Sequence, residues 1–271
     1  MTTPSMTTPS HPAAPGGTCT LVGAGPGDPE LLTLKAVRAI RQATVLLVDD
    51  LVGDGIVALA APGARIVHVG KRGGCKSTPQ AFIETLMVTA VNEGERVVRL
   101  KGGDPFIFGR GGEEVEHLRA AGIAVDVVNG ITAGLAAVSG LGVPLTHRAH
   151  AHGVVFVTGH ARHGEPGTDW AAVAGMAVRA RLTLVIYMGV SGAAQIQAGL
   201  LDGGLPDGTP AAVVQNASLP AQRHAVATLG TLHDTIVREG LASPSVIVVG
   251  DVLQGVATAA KGGTAQQSRA A

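Results

Sequence analysis

Ten short runs of β-branched and aliphatic residues recur along this chain, and that rhythm restricts its fold more than any other feature. The first five fall at 18–22, 45–48, 66–69, 97–100 and 125–128. A second set follows a connection near 147–152, at 154–158, 182–187, 211–215, 225–229 and 246–249. Helical patterns alternate with them, which predicts an α/β protein in two halves, each a mixed or parallel sheet flanked by helices. Asp28 is placed to cap a helix that begins with Pro29 and Glu30 and carries Lys35, Arg38 and Gln42 along its wet side. Further helices are expected over 113–121, closed by Gly122, and over 193–201 and 231–239. The expected domains are 18–148 and 149–256, between disordered tails at 1–17 and 257–271 that are rich in small and polar residues.

The unusual residues cluster just after the strands. GAGPGD at 23–28 follows the first run and Asp49 and Asp50 the second. GKRGG at 70–74, KGGD at 101–104 and NGIT at 129–132 follow the next three, and Met188 and Gly189 come after a strand of the second half. Ligands in open α/β sheets bind beyond the carboxyl ends of the strands, where these loops converge. One composite site is therefore expected. Its densest part is KGGDPFIFGRGGEE at 101–114, where five glycines alternate with Lys101, Asp104, Arg110, Glu113 and Glu114 in a chain only 15% charged. That loop reads as a binding site for a polar ligand.

Composition excludes several other functions. The formal net charge is zero, and six aromatic residues leave no stacking platform, so no nucleic-acid partner is expected. No window is long and apolar enough for a membrane span, and no signal peptide is recognisable, which points to the cytoplasm. Cys19 and Cys75 lack metal-ligand spacing and read as ordinary reduced thiols. His147, His150 and His152 come nearest to a metal cluster but read as a solvated loop, so no metal is expected. A dinucleotide site is disfavoured because Asp28 takes the third glycine position of a G-x-G-x-x-G turn, where a pyrophosphate would meet a carboxylate.

VGAGPGDPELLTLKA at 22–36, GKRGG at 70–74 and RLKGGDPFIFGRGGEE at 99–114 closely resemble the tetrapyrrole methylases. The likeness continues through GITA at 130–133, PLTHR at 144–148, TGH at 158–160, Tyr187 with Met188, and VVG at 248–250. It spans about 18–255 and is strongest to members that act on uroporphyrinogen III. The resemblance implies a two-domain homodimer with its active site in the interdomain cleft. It also implies two successive methyl transfers from S-adenosylmethionine to ring carbons, giving precorrin-2 for sirohaem or cobalamin and leaving S-adenosylhomocysteine. Carried over by position, the cofactor contacts are Pro26, Gly102, Gly103, Asp104, Ile107, Thr132, Ala133, Met188 and Ala217. Asp49 matches the proton acceptor and Lys71 the proton donor.

The acceptor's eight carboxylates call for bidentate cations, and Arg72, Arg110 and Arg148 are the candidates, with Glu113 orienting Arg110. Some residues also have plainer readings. Met188 would ordinarily be core, Thr132 could cap a helix, and Asp50 should face solvent if only Asp49 turns inward. The chain departs from the family at Val48, where His or Tyr is usual, and at 149–152. Asn129 stands in place of a proline and is expected to soften the turn beneath the cofactor. The alternatives are methylation of a later precorrin, a nicotinamide-dependent oxidoreductase, and a catalytically silent tetrapyrrole-binding protein.

Overall fold

A computed structural model describes residues 16–70, 78–160, 164 and 166–256. Lys71, Arg72 and Cys75 lie outside the described residues, as do the expected tails apart from Gly16 and Gly17.

The chain divides into two compact units. One runs to Ala24 and resumes from Leu32 to Gly130; the other takes Gly25–Leu31 and everything from Ile131 onward. The second unit therefore starts earlier than the expected 148/149 boundary. The reason is packing: Ala136, Ala137, Val138, Val143 and Ala151 join a core built on Val185, Ala212 and Val248 of the second sheet.

In the first unit five strands are all parallel: β1 Thr18–Gly23, β2 Val45–Val48, β3 Arg65–His68, β4 Arg96–Lys101 and β5 Val125–Val128. Their order is β3-β2-β4-β1-β5. Side chains alternate across the pleat, so Val22, Leu46, Val48 and Leu100 pack one face with Ile40 of α1 (Leu34–Gln42) and Ile56 of α2 (Asp54–Val57). Cys19, Leu21, Leu47 and Val97 pack the other with Ile83 and Met87 of α3 (Gln80–Asn92) and Leu118 of α4 (Gly111–Ala120). Asp28 does not cap α1. Its carboxylate accepts from Glu30 N at 2.9 Å in a separate 3₁₀ turn over Pro29–Leu31. Thr33 caps α1 instead, accepting from Ala36 N.

The second sheet runs β6-β7-β10-β8-β9, with β6 Gly153–Thr158, β7 Leu182–Tyr187, β8 Pro210–Gln215, β9 Arg223–Thr228 and β10 Ser245–Val249. Only β6 and β7 pair in parallel; β10 runs antiparallel between β7 and β8, and β8 antiparallel to β9. Three helices cover one face, α6 Trp170–Ala180, α7 Ala193–Asp202 and α8 Leu232–Glu239, while α5 Ala133–Ser139 packs the other. Gly122 follows α4 with positive φ, as read from sequence, and Gly240, not singled out there, ends α8 in the same way.

Candidate active site

Strands β1 and β4 are neighbours, yet the chain leaves β1 for α1 on one face and β4 for α4 on the other. Connections that diverge this way open a crevice at the carboxyl edge. Three glycines meet there at backbone distance. A Cβ on Gly23 would fall 2.5 Å from Gly130 N and 2.7 Å from Gly103 O, and one on Gly130 would fall 2.2 Å from Gly103 O. Only glycine permits that approach.

Asp104 holds this junction together. Its Oδ1 accepts from Phe106 N at 2.8 Å, and its Oδ2 accepts from Gly130 N and Asn129 Nδ2, each at 3.1 Å. The softening expected at Asn129 is thus answered by a side-chain bond that a proline could not make.

Below the rim lies a buried ion network. Alternation along β4 sends Val97, Arg99 and Lys101 to the face covered by α3 and α4, where Glu114 and Gln80 wait. Glu114 Oε1 accepts from Arg99 Nε at 3.0 Å, Lys101 Nζ at 3.1 Å and Gln80 Nε2 at 3.1 Å. Arg99 also reaches Asp49 Oδ2 with Nη2 at 3.3 Å, and Lys101 lies 3.9 Å from the same oxygen. Arg99 is 2% exposed, Glu114 0%, and Asp49 35%. Burial lowers the Lys101 pKa, as does the neighbouring Arg99 charge, while Glu114 and Asp49 oppose the shift. Burial also pushes the Cys19 thiol up to about 12, helped by Glu114 and opposed by Arg99, so it is a poor nucleophile.

This changes the reading of 101–114 as ligand-facing charge. Lys101 and Glu114 are spent inside the protein, and Asp104 on the loop itself. Arg110 and Glu113 remain on the surface, paired through Arg110 Nε and Glu113 Oε1 at 3.0 Å, a bond that raises the Arg110 pKa. Arg110 and Phe108 both hold positive φ, a strained backbone of the kind that concentrates at functional sites. Gly102 and Ile107 are half-buried beside exposed Phe106. Asp49 Oδ1 accepts from Asp50 N at 3.0 Å, while Asp50 faces solvent. A cavity of about 20 Å³ lies among Val48, Asp49, Asp50, Val52, His68 and Gly70, room for about one water.

In the second unit the loop bearing Pro26 is tied to the segment after β8. Asp28 N donates to Ser218 Oγ at 3.2 Å, and Gly27 lies against Leu219. Thr132 stands at the N-cap of α5, yet its hydroxyl is turned to Tyr187 at 2.7 Å. Tyr187 Oη also accepts from Gly134 N at 2.7 Å and so replaces the missing cap. Burial raises the Tyr187 pKa. Met188 is exposed with φ +54°, so it is not a core residue; Ala133 is half-buried and Ala217 buried. Arg148 is exposed on the turn bridged by His147 and Ala151.

The structure thus groups Asp49, Gly102, Gly103, Asp104 and Ile107 at the carboxyl edge of the first unit, with Arg110 and Glu113 just beyond. It assigns Pro26, Thr132, Ala133, Met188, Ala217 and Arg148 to the second. Sequence reasoning overlooked Arg99 and Gln80 as partners of Asp49 and Glu114, and Ser218 as the anchor of the first loop. Only the charged β4 pattern signalled the first of these.

Comparison with known proteins bears on the family. The family model for tetrapyrrole (corrin/porphyrin) methylases matches residues 18–233. The chain is 53% identical over 236 residues to a uroporphyrinogen-III C-methyltransferase of Pseudomonas aeruginosa, covering 87% of this chain and 94% of that protein. It is 48% identical to a sirohaem synthase of Methylococcus capsulatus, of which it covers 49%. A Thermus thermophilus uroporphyrin-III C-methyltransferase complexed with S-adenosylhomocysteine superposes with TM-score 0.73 at 41% identity, covering 88% and 99% of the two chains. A cobalt precorrin-4 methyltransferase superposes with TM-score 0.78 at 26% identity, covering 87% and 95%.

Proposed function

The chain belongs to the tetrapyrrole methylases, and from that premise we propose that it transfers two methyl groups from S-adenosylmethionine to ring carbons of uroporphyrinogen III, giving precorrin-2. The 53% identity across nearly all of the Pseudomonas uroporphyrinogen-III C-methyltransferase carries this reading. The precorrin-4 enzyme superposes slightly better than the Thermus uroporphyrin-III enzyme, at TM-score 0.78 against 0.73, but at 26% identity against 41%, so fold geometry does not choose the substrate and side-chain likeness does.

The residues present fit the cofactor. S-adenosylmethionine, when bound, supplies an electrophilic methyl group on a sulfonium. The close-packed glycine junction of 23, 103 and 130 lets backbone reach a ligand, with Gly102 and Ile107 half-buried in the same unit; Pro26, Thr132, Ala133, Met188 and Ala217 enter as cofactor contacts from the resemblance. Asp104 acts by holding that junction. A nicotinamide dinucleotide fits less well, because the Asp28 carboxylate already takes the Glu30 N–H at the turn where a pyrophosphate would bind.

Displacement at a sulfonium depends mainly on alignment of donor and acceptor. The ring then sheds a proton, and Asp49, held at the crevice edge with part of its carboxylate exposed, is the acceptor. Lys71 is the proton donor in this reading, and Arg72, Arg110 and Arg148 bind substrate carboxylates, with Glu113 steering Arg110. Lys71 and Arg72 enter from the resemblance alone. A cytoplasmic homodimer accompanies the reading on the same ground. No helix among the described residues is long and apolar enough to cross a membrane.

Anaerobic incubation with uroporphyrinogen III and methyl-labelled S-adenosylmethionine tests the proposal. A doubly labelled tetrapyrrole is expected; absence of label from a folded protein overturns it. Asp49→Asn should keep S-adenosylhomocysteine binding and lose turnover.

A further inference from the structure

We propose that Arg99, Lys101 and Glu114 are positioning residues that hold the Asp49 carboxylate in one orientation; this rests on the reading of Asp49 as proton acceptor. Both oxygens of Asp49 are fixed, Oδ1 by Asp50 N and Oδ2 by Arg99 Nη2. Arg99 cannot swing away, because Nε binds Glu114 and Nη1 faces the carbonyls of Leu47 and Leu100 at 3.4 Å. Lys101 and Gln80 pin Glu114 in turn. The chain of contacts runs from a fully buried carboxylate to a partly exposed one, so rigidity in the core is delivered to the crevice edge.

Stability alone explains the arrangement poorly. Buried ion networks commonly stabilise no more than apolar residues of equal size. Here three donors also crowd one oxygen of Glu114, while Oε2 has no partner among the described residues. An unsatisfied buried oxygen costs free energy and calls for a reason other than packing. Orientation of a group that must meet a ring proton supplies one, since misplacement by about 1 Å can cost on the order of 100-fold in rate.

Arg99→Lys tests this in the full chain, because it keeps the charge but loses the fork that spans Glu114 and Asp49. The expected result is a fall in kcat of about 100-fold, with KM for uroporphyrinogen III and Kd for S-adenosylhomocysteine unchanged. The double variant Arg99→Lys/Asp49→Asn should be no slower than Asp49→Asn alone, as residues acting through one another are non-additive. Additive losses, or a native rate in Arg99→Lys beside a slow Asp49→Asn, overturn the inference alone. A native rate in Asp49→Asn overturns the base reading and this inference with it. Should Arg99→Lys not fold, Asp49→Glu serves, since it alters only a partly exposed side chain. It should be nearly as slow as Asp49→Asn, because the longer arm carries the carboxylate off Arg99; near-native turnover sinks the proposal.

Discussion

Glu113 and Glu114 are neighbours on the first turn of α4, yet Glu114 is fully buried against Arg99 and Lys101 while Glu113 pairs with Arg110 at 53% exposure. The residue types match and the consequences differ. In solvent, an i,i+3 ion pair contributes at most about 1 kcal/mol and is screened by salt, so Arg110 can turn to another carboxylate at small loss. In the core, each charge depends on its partners, and a single deletion strands the others. One short segment thus holds a rigid scaffold and an adaptable rim, divided by which way each side chain points.

The sharpest way to break that contrast is at Glu114. Arg99 and Lys101 balance Glu114 and Asp49 in the network, and Glu114→Leu leaves two cations facing one carboxylate. A loss of about 3–5 kcal/mol in unfolding free energy is expected, read by urea denaturation. Replacing Arg99 and Lys101 with Met in the same protein should recover much of it. Failure of that recovery would mean that the charges contribute more than mutual neutralisation.

Asp104→Ala comes next. It removes the acceptor of three hydrogen bonds, two from backbone, and should cost about 3 kcal/mol and abolish S-adenosylhomocysteine binding by calorimetry. Asp104→Asn can still accept at one oxygen and should lie between the two. Equal loss of cofactor binding in Asp104→Ala and Asp49→Asn would show that the two carboxylates have been given the wrong roles.

How much of this was legible beforehand follows from the physics of each part. All ten strands were readable, because β-branched runs between glycine turns announce themselves, and so was the crevice edge, because its loops carry glycines where backbones touch. Helix α3 escaped notice: Phe82 lies on its exposed side while Ile83 and Met87 are buried, so apolar residues circle the helix and blur its period. Helix α5 is short and rich in Ala and Gly, and its true cap is Tyr187, more than fifty residues away. The division of charge within 101–114 was hidden for a related reason. Lys101 reads as the start of a loop, but β4 extends one residue further than the apolar run, and alternation then turns its amine inward. Burial of a charge is a tertiary fact, and only partners from α3 and α4 make it affordable.

Cys19 reports on the buried side of the contrast through pH. Its folded pKa of about 12 lies above the ordinary 9.0, so the folded state holds its proton where the unfolded chain releases it. Stability from this thiol is fully present below pH 9.0 and is lost as pH rises towards 12. Relative to Cys19→Ala, the native protein should lose about 2 kcal/mol by roughly pH 10.5. Denaturation series at successive pH values check this, and parallel curves for the two proteins would refute it.

The smallest effect on stability belongs to the rim. Arg110 and Glu113 are 55% and 53% exposed, so Arg110→Ala should change the unfolding free energy by less than about 0.5 kcal/mol. Its effect should fall on substrate instead. If the guanidinium exchanges Glu113 for an acceptor carboxylate, the variant raises KM for uroporphyrinogen III by about tenfold, since a charge-assisted hydrogen bond contributes roughly 1.5–3 kcal/mol, while Kd for S-adenosylhomocysteine stays put. Glu113→Gln separates steering from binding. It keeps the cation and loses its partner, so KM should move less than in Arg110→Ala. Added salt should raise KM in the native protein and leave Arg110→Ala less affected, because the screened attraction is already gone. A KM indifferent to both substitutions would leave Arg110 as a surface ion pair and confine the functional charge of this segment to its buried half.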